Sequence, residues 1–188
     1  MPVQQGIVGP VPPDRDPDDY DRLRRRVLWS MPAGLYVVGS RSEDRRNLMT
    51  CNWVSQVATS PKLVATGIDS EAVTAVLITE GGSFSVSILA REDRAMARKF
   101  VKPVEDVAVG ADGVATTMQG VEVSELADGV PVVTSATGWL SCAVRHTLDL
   151  GSHTLFVGEV VDVGGVATGP DDHPEVLRME DTRMNYGG

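Results

Sequence analysis

The sequence predicts a mainly β domain: an antiparallel barrel of about seven strands with a few short helices. Three observations predict it. Ser83–Leu89 alternates Phe84, Val86 and Ile88 with Ser83, Ser85 and Ser87, the period of two expected of a strand with one apolar and one polar face. Two long β-type runs, Trp139–Leu150 and His153–Val163, are separated only by Gly151-Ser152, and a glycine-first pair is a type II′ hairpin signal. Helical spacing is confined to three short stretches, which suits a barrel better than a βαβ array.

The elements follow in order. Residues 1–17 are rich in Pro, Gly and Asp and read as a flexible arm ahead of one domain over 18–188. Tyr20, Leu23, Val27 and Leu28 share one helical face, and Met31-Pro32 ends that helix because the residue before proline avoids the α region. Gly34–Ser40 is a short strand. Leu48–Thr59 and Leu63–Ile68 are strands flanking a turn at Ser60-Pro61. Glu71–Glu80 is a helix with Ser70 as N-cap and Gly81-Gly82 as its stop. Glu92–Phe100 opens on Glu92-Asp93 and closes on Arg98-Lys99, which suits a helix dipole. Val121–Leu126 adds another alternating strand.

Composition narrows the function. The chain has 188 residues, 42% hydrophobic and 23% charged, as one globular domain does. Net charge is −9, and an acidic surface repels phosphate backbones, so nucleic acid is not expected as a partner. The Arg22–Arg26 cluster sits among Asp14, Asp16, Asp18, Asp19 and Asp21 and reads as a solvated helix face. No apolar run reaches membrane-spanning length, and the first residues lack the pattern of a signal peptide. Cys51 and Cys142, with three scattered histidines, show no zinc-ligand spacing and no disulfide framework, which suits the cytoplasm. No G-x-G-x-x-G, P-loop, G-x-S-x-G or H-E-x-x-H motif is present.

Four stretches carry a further signal: Asn47-Leu-Met-Thr-Cys-Asn-Trp-Val-Ser-Gln-Val57, Ser60-Pro-Lys-Leu-Val64, Gly81-Gly-Ser-Phe-Ser-Val-Ser-Ile-Leu89 and Gly151-Ser-His-Thr-Leu-Phe-Val-Gly-Glu-Val160. Their order and spacing over roughly residues 27–163 resemble the flavin reductase-like family, the FMN-binding split barrels. The tail Arg183-Met-Asn-Tyr-Gly-Gly188 is similar to ends seen in one branch of that family. The resemblance implies a Greek-key split barrel, a homodimer, and FMN or FAD bound near the subunit interface. It also implies NADH or NADPH as electron donor, with hydride passing from nicotinamide C4 to flavin N5. The reduced flavin would then serve a flavin-dependent monooxygenase. A flavin-holding carrier or store that does not itself use NAD(P)H is the competing reading, and a haem-binding barrel is a third.

The resemblance also assigns residues. Asn47, Met49, Thr50, Cys51, Asn52, Ser55 and Gln56 lie on the stretch that lines the isoalloxazine in the family. Gln56 departs from the small hydroxyl residue common there, and Cys51 and Trp53 also read as packing residues. Ser70, either a helix N-cap or a phosphate ligand, joins Thr74 as a phosphate candidate, although Asp69 and Glu71 add negative charge beside it. Lys99, with Arg98 and Lys102, is either a source of positive charge for the phosphate or a solvated surface group. His153 matches the family histidine near nicotinamide and flavin, where it orients a ring rather than acting as acid or base. His146 reads as a core or interface histidine. Glu159 reads as an inward carboxylate with a structural partner. Tyr186 either caps the site from the tail or frays.

Overall fold

The computed structural model describes residues 9–165, 174–182 and 184. The chain divides into two units, Met1–Pro32 with Met184–Gly188, and Ala33–Arg183.

The first unit holds helix α1 (Pro17–Trp29). Asp16 caps it, its carboxylate accepting the Asp19 N–H at 3.0 Å, and Pro17 supplies a helix-ready φ at the first position. Asp18 and Asp19 lie at the positive end of the dipole and Arg26 at the negative end. Arg24 and Arg25 pair with Asp21 one turn away, at 2.5 and 3.3 Å, so the arginine run is balanced on its own helix.

The second unit runs β1 (Tyr36–Ser42), β2 (Arg45–Cys51), β3 (Val54–Thr59), β4 (Lys62–Asp69), α2 (Val73–Gly81) and β5 (Ser83–Ile88). The short helix α3 (Arg94–Ala97) follows, between two 3-10 turns. Then come β6 (Val107–Val109), β7 (Ala115–Met118), β8 (Val121–Glu125), β9 (Pro131–Val133), β10 (Gly138–Asp149) and β11 (His153–Gly164). The long run expected over Leu48–Thr59 is two strands, broken at Asn52-Trp53. Strands β6, β7 and β9 span three or four residues, too few for alternation to be read. The helix expected over Glu92–Phe100 is only α3 and its flanking 3-10 turns.

Seven strands form one sheet in the order β2-β1-β5-β10-β11-β4-β3, and β6-β7-β8-β9 form a second. Every pairing is antiparallel. β1 lies beside β5 and β11 beside β4, the over-and-back path of a Greek key. The two edge strands of the large sheet, β2 and β3, are consecutive in sequence. Only Asn52 and Trp53 separate them, and that link spans roughly 11 Å at most. The edges therefore meet at that end, and the sheet curls into a barrel. No ladder joins β2 to β3 among the described residues, so the barrel is split along that seam.

Two cores result. Inside the barrel lie Val38, Ile68, Ile78, Phe84, Val86 and Phe156. Between the large sheet and the small one lie Leu35, Val37, Leu48, Leu89, Phe100 and Met118. The predicted polar face of β5 is buried against β9, not merely polar: Ser85 and Ser87 are fully buried. The Val133 N–H donates to Ser87 Oγ at 3.1 Å. A buried charge cluster completes the seam. Glu125 on β8 accepts from Arg41 at 2.8 Å, from Arg46, and from the Ala115 N–H at 2.9 Å.

The hairpin between β10 and β11 turns as expected. Gly151 has φ +86°, the sign that a type II′ turn demands of its first residue, and the Leu150 N–H donates to the His153 carbonyl at 2.9 Å. Glu159 pairs with Arg145 at 2.8 Å, as expected of a carboxylate with a partner, but it does not face inward: Phe156 and Gly158 point into the core, so alternation turns Glu159 to the outer face. His146 is exposed in this chain, because a register shift between Val144 and His146 breaks the alternation that would turn it inward.

Candidate functional site

The site is built on the outside of the barrel, beside the link that joins its two edges. Along β4, Thr66 and Ile68 are fully buried, and on β11 so is Phe156. Alternation therefore places Gly67 and Asp69 of β4, and His153 and Leu155 of β11, on the outer face. His153 lies opposite Asp69, and Leu155 opposite Gly67. Ser55 on β3 lies opposite Ala65 and so shares that face. Gln56 lies opposite Val64 on the other side, just before a bulge, and its amide turns back to the Ala58 carbonyl at 3.1 Å.

Trp53 closes this face at one end. Its carbonyl accepts the Gly67 N–H at 2.9 Å. Its indole lies over Gly67, where an added β-carbon would meet Cε3 at 3.4 Å. The same indole meets the His153 imidazole with ring centroids 4.7 Å apart and planes tilted by 59°. The Ser152 hydroxyl lies 2.9 Å from His153 Nδ1. Asn52 precedes Trp53, is half-buried, and has no side-chain hydrogen bond among the described residues.

The candidate residues divide into two groups. Asn52, Ser55 and His153 come together on or beside the outer face. Asn47, Thr50, Cys51 and Thr74 lie in the interior. The Asn47 amide donates to Thr74 Oγ1 at 2.8 Å and its oxygen accepts the Val104 N–H at 2.9 Å. The Thr50 hydroxyl donates to the Ala97 carbonyl. Cys51 Sγ sits 3.6 Å from Thr66 Oγ1, and burial pushes its thiol up from the ordinary range. Met49 is half-buried against the barrel core.

Ser70 does not cap α2. That helix starts at Val73, with Ala72 as N-cap and no side-chain cap, because the Ser70 hydroxyl is engaged with Thr154 Oγ1 at 3.0 Å. Lys99 is exposed and donates to the Gln119 carbonyl at 3.2 Å. Tyr186 lies outside the described residues.

Residue-by-residue reading undervalues Trp53 and leaves out Ser152. The clue for Ser152 is its place in the tight turn directly before His153. The clue for Trp53 is its place on the strand break, which alternation across 48–59 conceals.

The outer face suits a flat ring system with a polar edge. It offers an amide at Asn52, a hydroxyl at Ser55 and an imidazole at His153. No cluster of three or more potential metal ligands occurs among the described residues, and no described helix is long and apolar enough to cross a membrane.

Comparison with known proteins shows the family. A family model described as a flavin reductase like domain matches residues 28–186. The chain is similar to an NADH-dependent FAD reductase from Streptomyces globisporus, 31% identical over 151 residues that make up 80% of each chain. It is also similar to a ferric-chelate reductase (NAD(P)H) from Archaeoglobus fulgidus, 34% identical over 72% of this chain and 78% of that one. Among solved structures, an NADH:FAD oxidoreductase of Streptomyces globisporus matches with a TM-score of 0.69 and 27% identity, over 95% of this chain and 93% of that one. A structure of that enzyme in complex with NAD and FAD fragments matches equally well, with a TM-score of 0.69 and 28% identity, over 89% of this chain and 92% of that one.

Proposed function

The chain belongs to the flavin reductase-like family, and from that premise we propose that it is an NADH-dependent flavin reductase whose reduced flavin serves a partner monooxygenase. One observation carries the reading at residue level: His153 and Ser55 share the outer face on either side of Gly67, next to the unpaired amide of Asn52. Bound there, the flavin supplies a two-electron acceptor for hydride from the nicotinamide. The chain's own residues bind and orient. Asn52 and Ser55 hydrogen-bond the polar edge of the ring, and His153 orients the nicotinamide.

The interior candidates take a different part. Asn47 with Thr74, and Thr50 with Ala97, hold β2 against α2 and α3, and so fix where the Asn52-Trp53 link emerges. The phosphate end is assigned to Ser70, whose hydroxyl is part-buried beside Thr154. FAD and NADH, named for the Streptomyces globisporus relative, are the pair to test first.

A homodimer is part of the proposal. Val57 on β3, Leu148 on β10, and Val161 and Val163 on β11 are each more than half exposed. These exposed apolar side chains on three strands of the large sheet are what a covering partner would bury, and a second copy of this chain is the partner proposed. The cytoplasm, where nicotinamide is supplied, is the proposed place of work.

The test is an absorbance assay at the nicotinamide band, with purified protein, NADH or NADPH, and catalytic FMN or FAD. Turnover with at least one pair is expected. Absence of turnover with all four pairs, alongside tight flavin binding, would favour a carrier that does not use NAD(P)H.

A further inference from the structure

We propose that Trp53 is the positioning residue for His153, an inference that rests on the reductase reading for its catalytic consequence but not for its geometry. Trp53 is 44% exposed, which core packing does not explain in a residue with so much apolar surface. Its backbone is anchored, the Trp53 carbonyl accepting the Gly67 N–H at 2.9 Å. Its indole lies over Gly67, where an added β-carbon would meet Cε3 at 3.4 Å.

The indole meets the His153 imidazole at 4.7 Å with a 59° tilt, within the edge-to-face range of favourable aromatic pairs. Ser152 holds Nδ1 at 2.9 Å. The imidazole is therefore fixed at one nitrogen and one face, and Nε2 is the ring nitrogen left to meet a ligand. Asp69, opposite His153 in the ladder, accepts the Glu71 N–H at 3.0 Å. The two anchors come from separate places, Trp53 from the β2–β3 link and Ser152 from the β10–β11 turn. Trp53 thus ties the two sides of the site together, and its loss frees His153 without removing it.

The test compares Trp53→Phe and Trp53→Ala with the unaltered protein. For Trp53→Ala, the KM for NADH is expected to rise about tenfold while kcat changes less than about threefold and the flavin Kd less than about twofold. Trp53→Phe, which keeps a ring against the imidazole, is expected to restore most of the KM. A second readout needs no turnover. His153→Gln is expected to change tryptophan fluorescence in the unaltered background and to leave it unchanged in the Trp53→Phe background.

An unchanged KM in Trp53→Ala, or equal losses in Trp53→Phe and Trp53→Ala, would overturn the proposal. So would a fluorescence response to His153→Gln that persists without Trp53. If the unaltered protein fails to oxidise NADH or NADPH with either flavin, the reductase reading falls instead. The fluorescence pair then decides the positioning role by itself.

Discussion

The Ser85 hydroxyl donates to the Pro131 carbonyl at 2.6 Å, a bond from the barrel sheet to the small sheet across a fully buried seam. Pro131 lies at the start of β9, where that carbonyl has no water to turn to. Removing the donor leaves a buried acceptor unsatisfied, so Ser85→Ala is expected to cost about 1–3 kcal/mol. Urea unfolding measures it. A loss below a few tenths would mean that the seam admits water.

Glu125 is the second tie across that seam, with only 7% of its side chain exposed and Arg46 beside it at 8%. Glu125→Gln removes the charge that two arginines share and strands the more deeply buried of them. The expected destabilisation is about 3–5 kcal/mol, the range for breaking one partner of a buried pair. Arg45 and Glu80, both well exposed, form the control pair, and Glu80→Gln is expected to change stability by less than about 1 kcal/mol.

Gly158 on β11 lies against Phe84 and Cys142 in the barrel core. An added β-carbon would stand 2.6 Å from Phe84 Cε1 and 2.8 Å from Cys142 Cβ. Gly158→Ala is therefore expected to cost about 2–3 kcal/mol through overpacking. A urea midpoint equal to that of the unaltered protein would show that β11 shifts freely to make room.

The same Cys142 makes stability depend on alkaline pH. Burial pushes its thiol up to about 12 from 9.0. A pKa raised by folding gives a contribution that is full below the unfolded value and is lost as pH rises through the folded one. The protein should therefore lose stability progressively from about pH 9 towards pH 12, and Cys142→Ala should flatten that slope. Burial also pushes up the Cys51 thiol, so neither cysteine is expected to react with a thiol reagent at pH 8 until the protein unfolds.

His153→Ala is expected to slow nicotinamide oxidation about tenfold or more while changing flavin affinity less than about twofold. Stopped-flow reduction and flavin titration measure the two separately. Equal losses in both would make His153 a flavin-holding residue.

Much of the fold is legible in residue order. The alternation of β5, the glycine-first turn at Gly151 and the helix ending at Met31-Pro32 all follow from local rules. The break at Asn52-Trp53 does not, because a strand leaving one sheet edge and entering the other keeps its β-type composition throughout. Nor do β6, β7 and β9, too short to show a period. At the site, local rules point to polar residues on 47–56 but not to which side of the sheet each one faces. That depends on register: Ser55 lies opposite Ala65 and Gln56 opposite Val64. Asn47, Thr50 and Thr74 are donors and acceptors of the right type for a ligand, yet they satisfy one another and the backbone in the buried interior. Sequence pattern cannot tell a buried polar partner from an exposed one.

The open seam has a consequence for solubility. A closed barrel has no free strand edges, whereas this one keeps two, on β2 and β3, each with backbone groups able to pair with a strand of another molecule. Both edges carry deterrents. β2 begins with Arg45 and Arg46, and β3 is bent by the bulge between Gln56 and Ala58 and followed closely by Pro61. Straightening β3 by deleting Val57 would leave the core untouched and still be expected to make the protein aggregate.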